Sequence, residues 1–353
     1  MDRHNDCLIV IPSYQPEETL FYLTKGLATH GYQILIVNDG SEPTFNDVFS
    51  RCEQYGQVLS YSKNKGKGFA LKYAFEYAQK NYKDINYVLT VDGDGQHHIK
   101  DINELTNTIK ERKEIIICER RFDTKVPFKS KIGNSLSKFS QSLSTFRYMN
   151  DNQCGLRAFP FSFLDDLIKI KGNRYEYEME VLNYLLIKEI PFSTLSVDTV
   201  YENGVNATTH FRPILDTFLI QKSILKCGLV NIICFLLGLA LTCVFYYCFF
   251  SSSGLCPIDL SYEVSIFIAI PLEMIIHIII NVIIFKPKSI GRMILRLVLF
   301  NIIYLLSIII TVSFFSRVCS FNIICSYLLT YPLIVFPLYY LIKGVTLVYN
   351  SRR

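Results

Sequence analysis

Apolar and polar positions divide this chain into two parts. In the first, short apolar runs at 7–11, 33–37, 87–91 and 114–118 alternate with stretches whose apolar residues recur every three to four positions, one reaching His30, one near 68–80 and one near 99–112. Short runs followed by a helical period predict strands and helices in alternation, and so βαβ units around a largely parallel sheet. In the second part, from Gly228 onward, apolar runs of about 20 residues follow one another at 228–250, 264–285, 293–315 and 321–342. Each is long enough to cross a hydrocarbon core of roughly 30 Å as a helix. A buried core helix accounts for one such run more readily than for four in succession. The expected organisation is an α/β domain over 1–211, an interfacial amphipathic linker over 212–227 and an all-α domain of four membrane-spanning helices over 228–353.

Charge supports this division and orients it. The chain carries 36 Lys/Arg against 31 Asp/Glu, a net +5. From Gly228 to the end there are eight bases (Lys286, Lys288, Arg292, Arg296, Arg317, Lys343, Arg352, Arg353) and three acids (Asp259, Glu263, Glu273), so the whole excess sits on the apolar part. Three of the bases (Lys286, Lys288 and Arg292) fill the connection between runs two and three and Arg296 lies just inside run three, three follow run four, and Lys222 and Lys226 precede run one. The other two connections hold one base, Arg317. The bias of Lys and Arg toward the cytoplasmic side then places both termini and the α/β domain in the cytoplasm of a multi-pass membrane protein, with the cell membrane the expected site. The first apolar stretch, 7–11, is too short for a cleavable signal. The 11 cysteines include no CxxC pair and read as small buried hydrophobes. Cys256 and Cys319 fall in the two outward connections and are the pair that could join.

In open parallel sheets, ligands bind beyond the carboxyl ends of the strands. The polar residues at those ends are Pro12-Ser13-Tyr14, Asn38-Asp39-Gly40-Ser41, Asp92-Gly93-Asp94-Gly95-Gln96 and Arg120-Arg121, which should line one crevice. Neither GxGxxG nor GxxxxGK[ST] is present, so a dinucleotide or P-loop reading has no support. An EF-hand loop starting at Asp92 would need Gly at its sixth position and Glu at its twelfth, where His97 and Asn103 stand. Two carboxylates one residue apart at a strand end do suit a hard divalent ion shared with phosphate oxygens. The glycines at 93 and 95 permit a sharp turn and close approach of a ligand. A solvated acidic turn is the other reading of DGDG taken alone.

The segments IPSYQPEETL (11–20), VNDGS (37–41), NKGKGFALKYAF (64–75), TVDGDGQHH (90–98) and CERRF (118–122) resemble, in order and spacing, glycosyltransferase family 2, and within it the polyprenyl-phosphate hexose branch that includes dolichol-phosphate mannose synthase. NQCGLRAF (152–159), RYEYEMEVL (174–182) and THFRP (209–213) resemble bacterial members of that branch. The four-run tail resembles the small GtrA-like membrane domain. The resemblance implies a GT-A fold, Rossmann-like with a mostly parallel sheet. It implies that Pro12, Tyr14, Glu17, Asp39, Lys67, Asp92, His210 and Arg212 contact a nucleotide sugar such as GDP-mannose or UDP-glucose. It further implies that Asp92, Asp94 and Gln96 hold Mg2+ or Mn2+, and that Asp94, Arg120 and Lys131 serve the transfer itself. Two departures stand out: Gln15-Pro16 displaces Glu17 from the usual PxYNE start, and Cys118-Glu119 stands where Gly-Ser is usual before the arginine.

The chemistry is consistent with these residues. A sugar leaving a nucleoside diphosphate needs its departing negative charge stabilised, which a metal and an arginine can do. A lipid phosphate acceptor titrates near or below ~6 and needs no general base at neutral pH. A hydroxyl acceptor would need one, and Glu176, Glu178 and Glu180 are candidates, unless they are a solvated or helix-N-terminal acidic run. His97 and His98 rank below Gln96 as a third ligand. Lys125, Lys129, Lys131, Lys138 and Arg147 form a basic segment in which Phe128, Ile132, Leu136, Phe139 and Leu143 recur at helical spacing. It reads either as a solvated face or as an amphipathic helix on an anionic bilayer surface. A second interfacial helix is expected over 211–226. In run two, Glu273, His277 and Asn281 share one helical face and read as helix-to-helix polar contacts or as a polar path for a lipid headgroup.

The expected activity is thus inverting transfer of a hexose, mannose or glucose, to a dolichyl or undecaprenyl phosphate, with association of copies through the apolar helices and no nucleic-acid partner. A processive polysaccharide synthase usually carries QxxRW, and this chain has no tryptophan. A hydroxyl-acceptor transferase and a non-catalytic lipid-linked sugar transporter or scaffold are the remaining alternatives.

Overall fold

The computed structural model describes residues 4–120, 148–151, 153–197, 233–250, 261–285, 290–322, 324–330 and 333. The chain forms two compact units, Met1–Lys138 with Met149–Ser223 and Phe139–Tyr148 with Ile224–Arg353. In the first unit the elements run β1 (Cys7–Ser13), α1 (Glu18–Thr29), β2 (Gln33–Asp39), α2 (Asn46–Cys52), β3 (Gln57–Tyr61), α3 (Lys67–Asn81), β4 (Tyr87–Thr90), α4 (Ile99–Arg112), β5 (Ile115–Arg120), β6 (Arg157–Pro160), α5 (Leu164–Lys169), α6 (Glu176–Ile187) and β7 (Phe192–Val197).

One seven-stranded sheet has the order β3-β2-β1-β4-β6-β5-β7. β1 pairs parallel with β2 and β4, β2 parallel with β3, and β5 parallel with β7; β6 runs antiparallel to both β4 and β5. The sheet is therefore the mixed, mostly parallel α/β sheet expected, with one reversed strand that the short RAFP run did not announce. β3 and β7 also had no counterpart among the expected strands.

Alternation along the strands builds two cores. Leu8 and Val10 of β1 and Leu35 and Val37 of β2 pack against Ala70, Leu71, Ala74 and Phe75 of α3 and Val181, Leu182 and Leu185 of α6. Ile9, Ile11, Ile34 and Ile36 point the other way, against Leu20, Leu23 and Leu27 of α1 and Ile102, Leu105 and Ile109 of α4. Side chains alternate faces along a strand, so a strand covered on both sides must be apolar throughout. Residues 7–11 are all fully buried, and each large aliphatic among them contributes roughly 1.5–3 kcal/mol by leaving water. Because the chain winds from β1 outward to β3 and then crosses to β4, the order reverses between β1 and β4, and a crevice opens beyond their carboxyl ends.

In the second unit, α7 (Ile233–Phe249) passes into a π-helical turn over Phe245–Phe250 and is followed by α8 (Ser261–Phe285) and α9 (Ile290–Arg317). Among the described residues two helices, over Ser261–Ile284 and Leu297–Arg317, are long and apolar enough to cross a membrane, and α7 is a shorter apolar helix. They coincide with runs two, three and one. Run four is described at 321–322, 324–330 and 333 alone, so the four-helix expectation stands at two such helices. Phe267, Ile279 and Ile283 of α8 and Leu299, Ile303 and Ile310 of α9 are exposed large apolar side chains, the surface a lipid environment would cover. At one end of the α8–α9 pair, Arg317 donates to Glu263 at 2.6 Å, and the Ser313 hydroxyl donates to the same oxygen.

Candidate active site

Four strand ends meet at the crevice, and the loops beyond them are tied together through buried carboxylates. Asp39 ends β2 with its side chain buried. Its Oδ1 accepts hydrogen bonds from the Tyr61 hydroxyl at 2.7 Å and the Lys65 N–H at 2.8 Å; its Oδ2 accepts from Asn64 Nδ2 at 3.2 Å and the Gly66 N–H at 2.9 Å. Burial pushes this carboxyl upward, and the hydrogen bonds from Lys65, Tyr61 and Gly66, with the charge of Arg174, pull against that shift without cancelling it. The effect is to pin the 63–66 loop over β2, and Gly40 (φ +68°) allows it, since a Cβ there would run into the Lys63–Asn64 backbone.

That loop delivers α3. Gly66 (φ +100°) and Gly68 lie against Asn173, Arg174 and Tyr177, so any side chain at either position would collide with the start of α6. The Phe69 N–H donates to Asn173 O at 2.9 Å across the same junction. Two glycines thus let α6 close on α3, and the closure sets Lys67 between two acids. Its Nζ lies 2.5 Å from Asp92 Oδ1 and 2.8 Å from Glu178 Oε1. Burial alone would lower this ammonium, but the charges of Asp92 and Glu178 more than reverse it. Burial likewise works to raise Asp92, while Lys67 and His97, whose Nε2 stands 3.8 Å from Oδ2, hold it far below the carboxylate range.

Asp92 is braced from behind by Gly155. Thr90 donates to Gly155 O at 2.7 Å, and a Cβ on Gly155 would strike the Asp92 carboxylate. Arg157, on β6, is buried beneath: Nε donates to Cys154 O at 2.9 Å and Nη1 to Glu178 O at 2.7 Å. Asp94 is exposed, and its Oδ1 accepts the Gln96 N–H at 3.1 Å across the turn that Gly95 (φ +75°) makes. Desolvation and the neighbouring Asp92 charge raise its carboxyl. The oxygens of Asp92, Asp94 and Gln96 are hard donors on one tight turn, and that donor set fits Mg2+ or Mn2+ better than a thiolate-seeking metal.

The sequence profile described as glycosyl transferase family 2 matches residues 8–168, the span that carries β1 to α5 and both carboxylates. These residues form a glycosyl transferase family 2 domain. An uncharacterized protein of Methanocaldococcus jannaschii is 29% identical to this chain over 230 residues, which are 62% of this chain and 93% of that protein. The UDP-N-acetylglucosamine–dolichyl-phosphate N-acetylglucosaminyltransferase of Methanococcus voltae is 29% identical over 231 residues, 58% of this chain and 91% of that one. Among solved structures, glucosyl-3-phosphoglycerate synthase of Mycobacterium tuberculosis, in complex with Mn2+, uridine diphosphate and glucosyl-3-phosphoglycerate, overlays 64% of this chain and 81% of its own at 13% identity and a TM-score of 0.47.

Within the transferase domain the remaining expected residues divide. Tyr14 is half-buried at the end of β1, and Glu17 is the exposed residue preceding α1. The inserted Gln15 takes φ +49°, and its N–H donates to Ser41 Oγ at 2.8 Å, which ties the β1 and β2 loops together. Arg120 ends β5 in a two-pronged pair with buried Asp151, Nε to Oδ2 at 2.6 Å and Nη2 to Oδ1 at 3.2 Å. Beside it, Glu119 accepts from the N–H and the amide of Asn150 at 3.0 and 2.9 Å. The Glu119 departure from the family pattern is therefore a second clasp on the 150–151 segment. Glu176, the first residue of α6, accepts from the N–H groups of Asn173 and Arg174 in the turn before the helix, and Glu178 is taken by Lys67. His98 is exposed just before α4. Lys131, His210 and Arg212, and both expected interfacial helices, lie outside the described residues. Asp151, Gly155 and Arg157 were not singled out from sequence; Gly155 and Arg157 fall within the 152–159 stretch, and Asp151 immediately precedes it.

Proposed function

We propose that this protein transfers a single sugar from a nucleoside diphosphate sugar to a polyprenyl phosphate at a membrane surface, with inversion at the anomeric carbon. The observation that carries the reading is the Lys67–Asp92–Glu178 cluster set beside exposed Asp94 at the switch point of a family 2 transferase domain. Asp92, Asp94 and Gln96 would hold Mg2+ or Mn2+, and the bound ion would neutralise charge developing on the departing diphosphate. Lys67 keeps Asp92 ionised and fixed in direction, and Arg120, aligned by Asp151, is assigned to the diphosphate or the acceptor phosphate. Pro12, Tyr14 and Glu17 border the place for base and ribose, while Asp39 acts by holding the loop that leads to Lys67. Lys131, His210 and Arg212 are assigned to phosphate contacts near the bilayer.

A polyprenyl phosphate acceptor is favoured because Glu176 and Glu178, two of the three candidate bases for a hydroxyl acceptor, are engaged within the fold. The dolichyl phosphate in the name of the Methanococcus voltae relative and the two long apolar helices support it as well. The donor is GDP-mannose, UDP-glucose or, by the same relative's name, UDP-N-acetylglucosamine. The helices anchor the chain with its charged connection, Lys286 to Arg292, on the cytoplasmic side. The test is transfer of label from each donor into an organic-extractable lipid by purified protein with Mn2+ and polyprenyl phosphate. Label from one donor that disappears in Asp94→Asn is expected; no lipid label from any donor, with folding intact, would overturn the assignment.

A further inference from the structure

Away from the transferase domain, the second unit buries a cluster of unlike ligand types. Cys234 of α7 and Glu273 and His277 of α8 have donor atoms all within 4.8 Å of one another. The three side chains are 1%, 2% and 3% exposed, so the cluster is sealed from solvent. Glu273 and His277, one helical turn apart, share a face, with Nδ1 of the imidazole 3.7 Å from Oε1 of the carboxylate, beyond hydrogen-bond length. The second carboxylate oxygen, Oε2, is buried with no hydrogen-bond partner. Asn281, expected on the same polar face, is spent on its own helix, donating to His277 O at 2.8 Å. Close packing at Gly238 brings the Tyr327 hydroxyl to the same place: a Cβ there would lie 2.7 Å from that oxygen and 3.5 Å from Glu273 Cγ.

Helix-to-helix hydrogen bonding, here between Cys234 and Glu273, accounts for part of this arrangement and leaves the second carboxylate oxygen buried and unpaired. We propose that Cys234, Glu273 and His277 form a zinc site that ties α7 to α8. Thiolate, imidazole and carboxylate are the ligands zinc takes, and three of them leave a fourth position for water or a hydroxyl. Charge balance favours the same ion: one thiolate and one carboxylate neutralise Zn2+ with the imidazole neutral, so the filled site carries no net charge into an apolar interior. Binding releases the Cys234 thiol proton, and Glu273 binds as its carboxylate. The site is independent of the Asp92–Asp94 turn, which offers oxygen donors without a thiol.

The experiment uses the full chain purified in detergent. Zinc is measured by elemental analysis after dialysis, and Co2+ is then exchanged in as a spectroscopic probe. The expected result is one zinc per chain and a thiolate-to-cobalt charge-transfer band, both lost in Cys234→Ser and both retained in Asp94→Asn and in Cys243→Ser. Should the Cys234 variant fail to fold, the wild-type cobalt band, abolished by alkylation of Cys234, carries the same information. Zinc bound equally by wild type and Cys234→Ser, or a folded wild-type protein with no thiolate–cobalt band, would overturn the site.

Discussion

The Lys67 ammonium stands 2.5 Å from the Asp92 carboxylate, and the same ammonium reaches Glu178 at 2.8 Å. One cation therefore serves two acids that arrive from different elements, Asp92 just past β4 and Glu178 from α6. Removing one partner of a buried ion pair leaves the other charge uncompensated. Lys67→Met is expected to lower unfolding free energy by about 3 kcal/mol and transfer by on the order of 10²-fold or more. Glu178→Gln should cost less, because Lys67 keeps Asp92. Denaturant titration and steady-state kinetics on the pair measure both; an unchanged Lys67→Met would remove the cluster from the mechanism.

The Asp92 carboxylate rests on the bare backbone of Gly155, where a Cβ would collide with it. Gly155→Ala is expected to displace Asp92 and weaken divalent-ion binding by about 10–100-fold, the range seen when support of a metal ligand is lost. Gly291→Ala, where a Cβ meets nothing within 4 Å, is the control and should leave binding unchanged. Mn2+ titration of both variants provides the comparison.

Asp94 is exposed and accepts a local hydrogen bond from the Gln96 N–H, so its loss should leave the fold standing. Asp94→Asn is expected to keep the melting temperature of the parent while activity falls by on the order of 10²-fold or more. Chelation of divalent ions should abolish transfer by the parent and be reversed by Mn2+.

Burial works to raise the Asp151 carboxyl, but Arg120 opposite it holds it below its ordinary 3.8. A carboxyl depressed in the folded state stabilises above its unfolded value and loses that contribution as pH falls through the folded one. Asp151→Asn should therefore cost about 3 kcal/mol at neutral pH, and the gap from the parent should close as pH drops below 3.8. Unfolding curves at several pH values test this; a gap that persists unchanged into acid would mean the pair does not carry the stability.

Cys319 is exposed just beyond α9, in a connection that the proposed orientation puts on the outer face. In a variant whose remaining cysteine is Cys319, a membrane-impermeant maleimide should label intact cells. Labelling confined to lysed cells would reverse the proposed orientation.

Much of the strand layout, and the polar residues at its carboxyl edge, was legible in the chain itself. Apolar runs 7–11, 33–37, 87–91 and 114–118 became β1, β2, β4 and β5 because a strand covered on both faces must be apolar along its length. The polar residues that follow such runs then had to gather at one edge, which is why Asp39, Asp92, Asp94 and Arg120 could be named in advance. The apolar runs of the second unit were equally plain, since length and composition alone mark a helix fit for a bilayer.

Pairing was decided by the tertiary structure alone. No spacing in the chain joins Lys67 to Glu178, 111 positions apart and brought together by the close approach of α3 and α6 at Gly66 and Gly68. Nor does it show that Asp39 would spend its carboxylate on the Lys65 and Gly66 N–H groups, the Asn64 side-chain amide and Tyr61, that Asp151 would claim Arg120, or that Cys234 would meet Glu273 and His277. Periodicity records which face of an element is apolar; it holds no information about which charged side chain from a distant element will fill the space opposite. That choice follows from packing, because a buried charge must find its partner wherever the folded backbone places one.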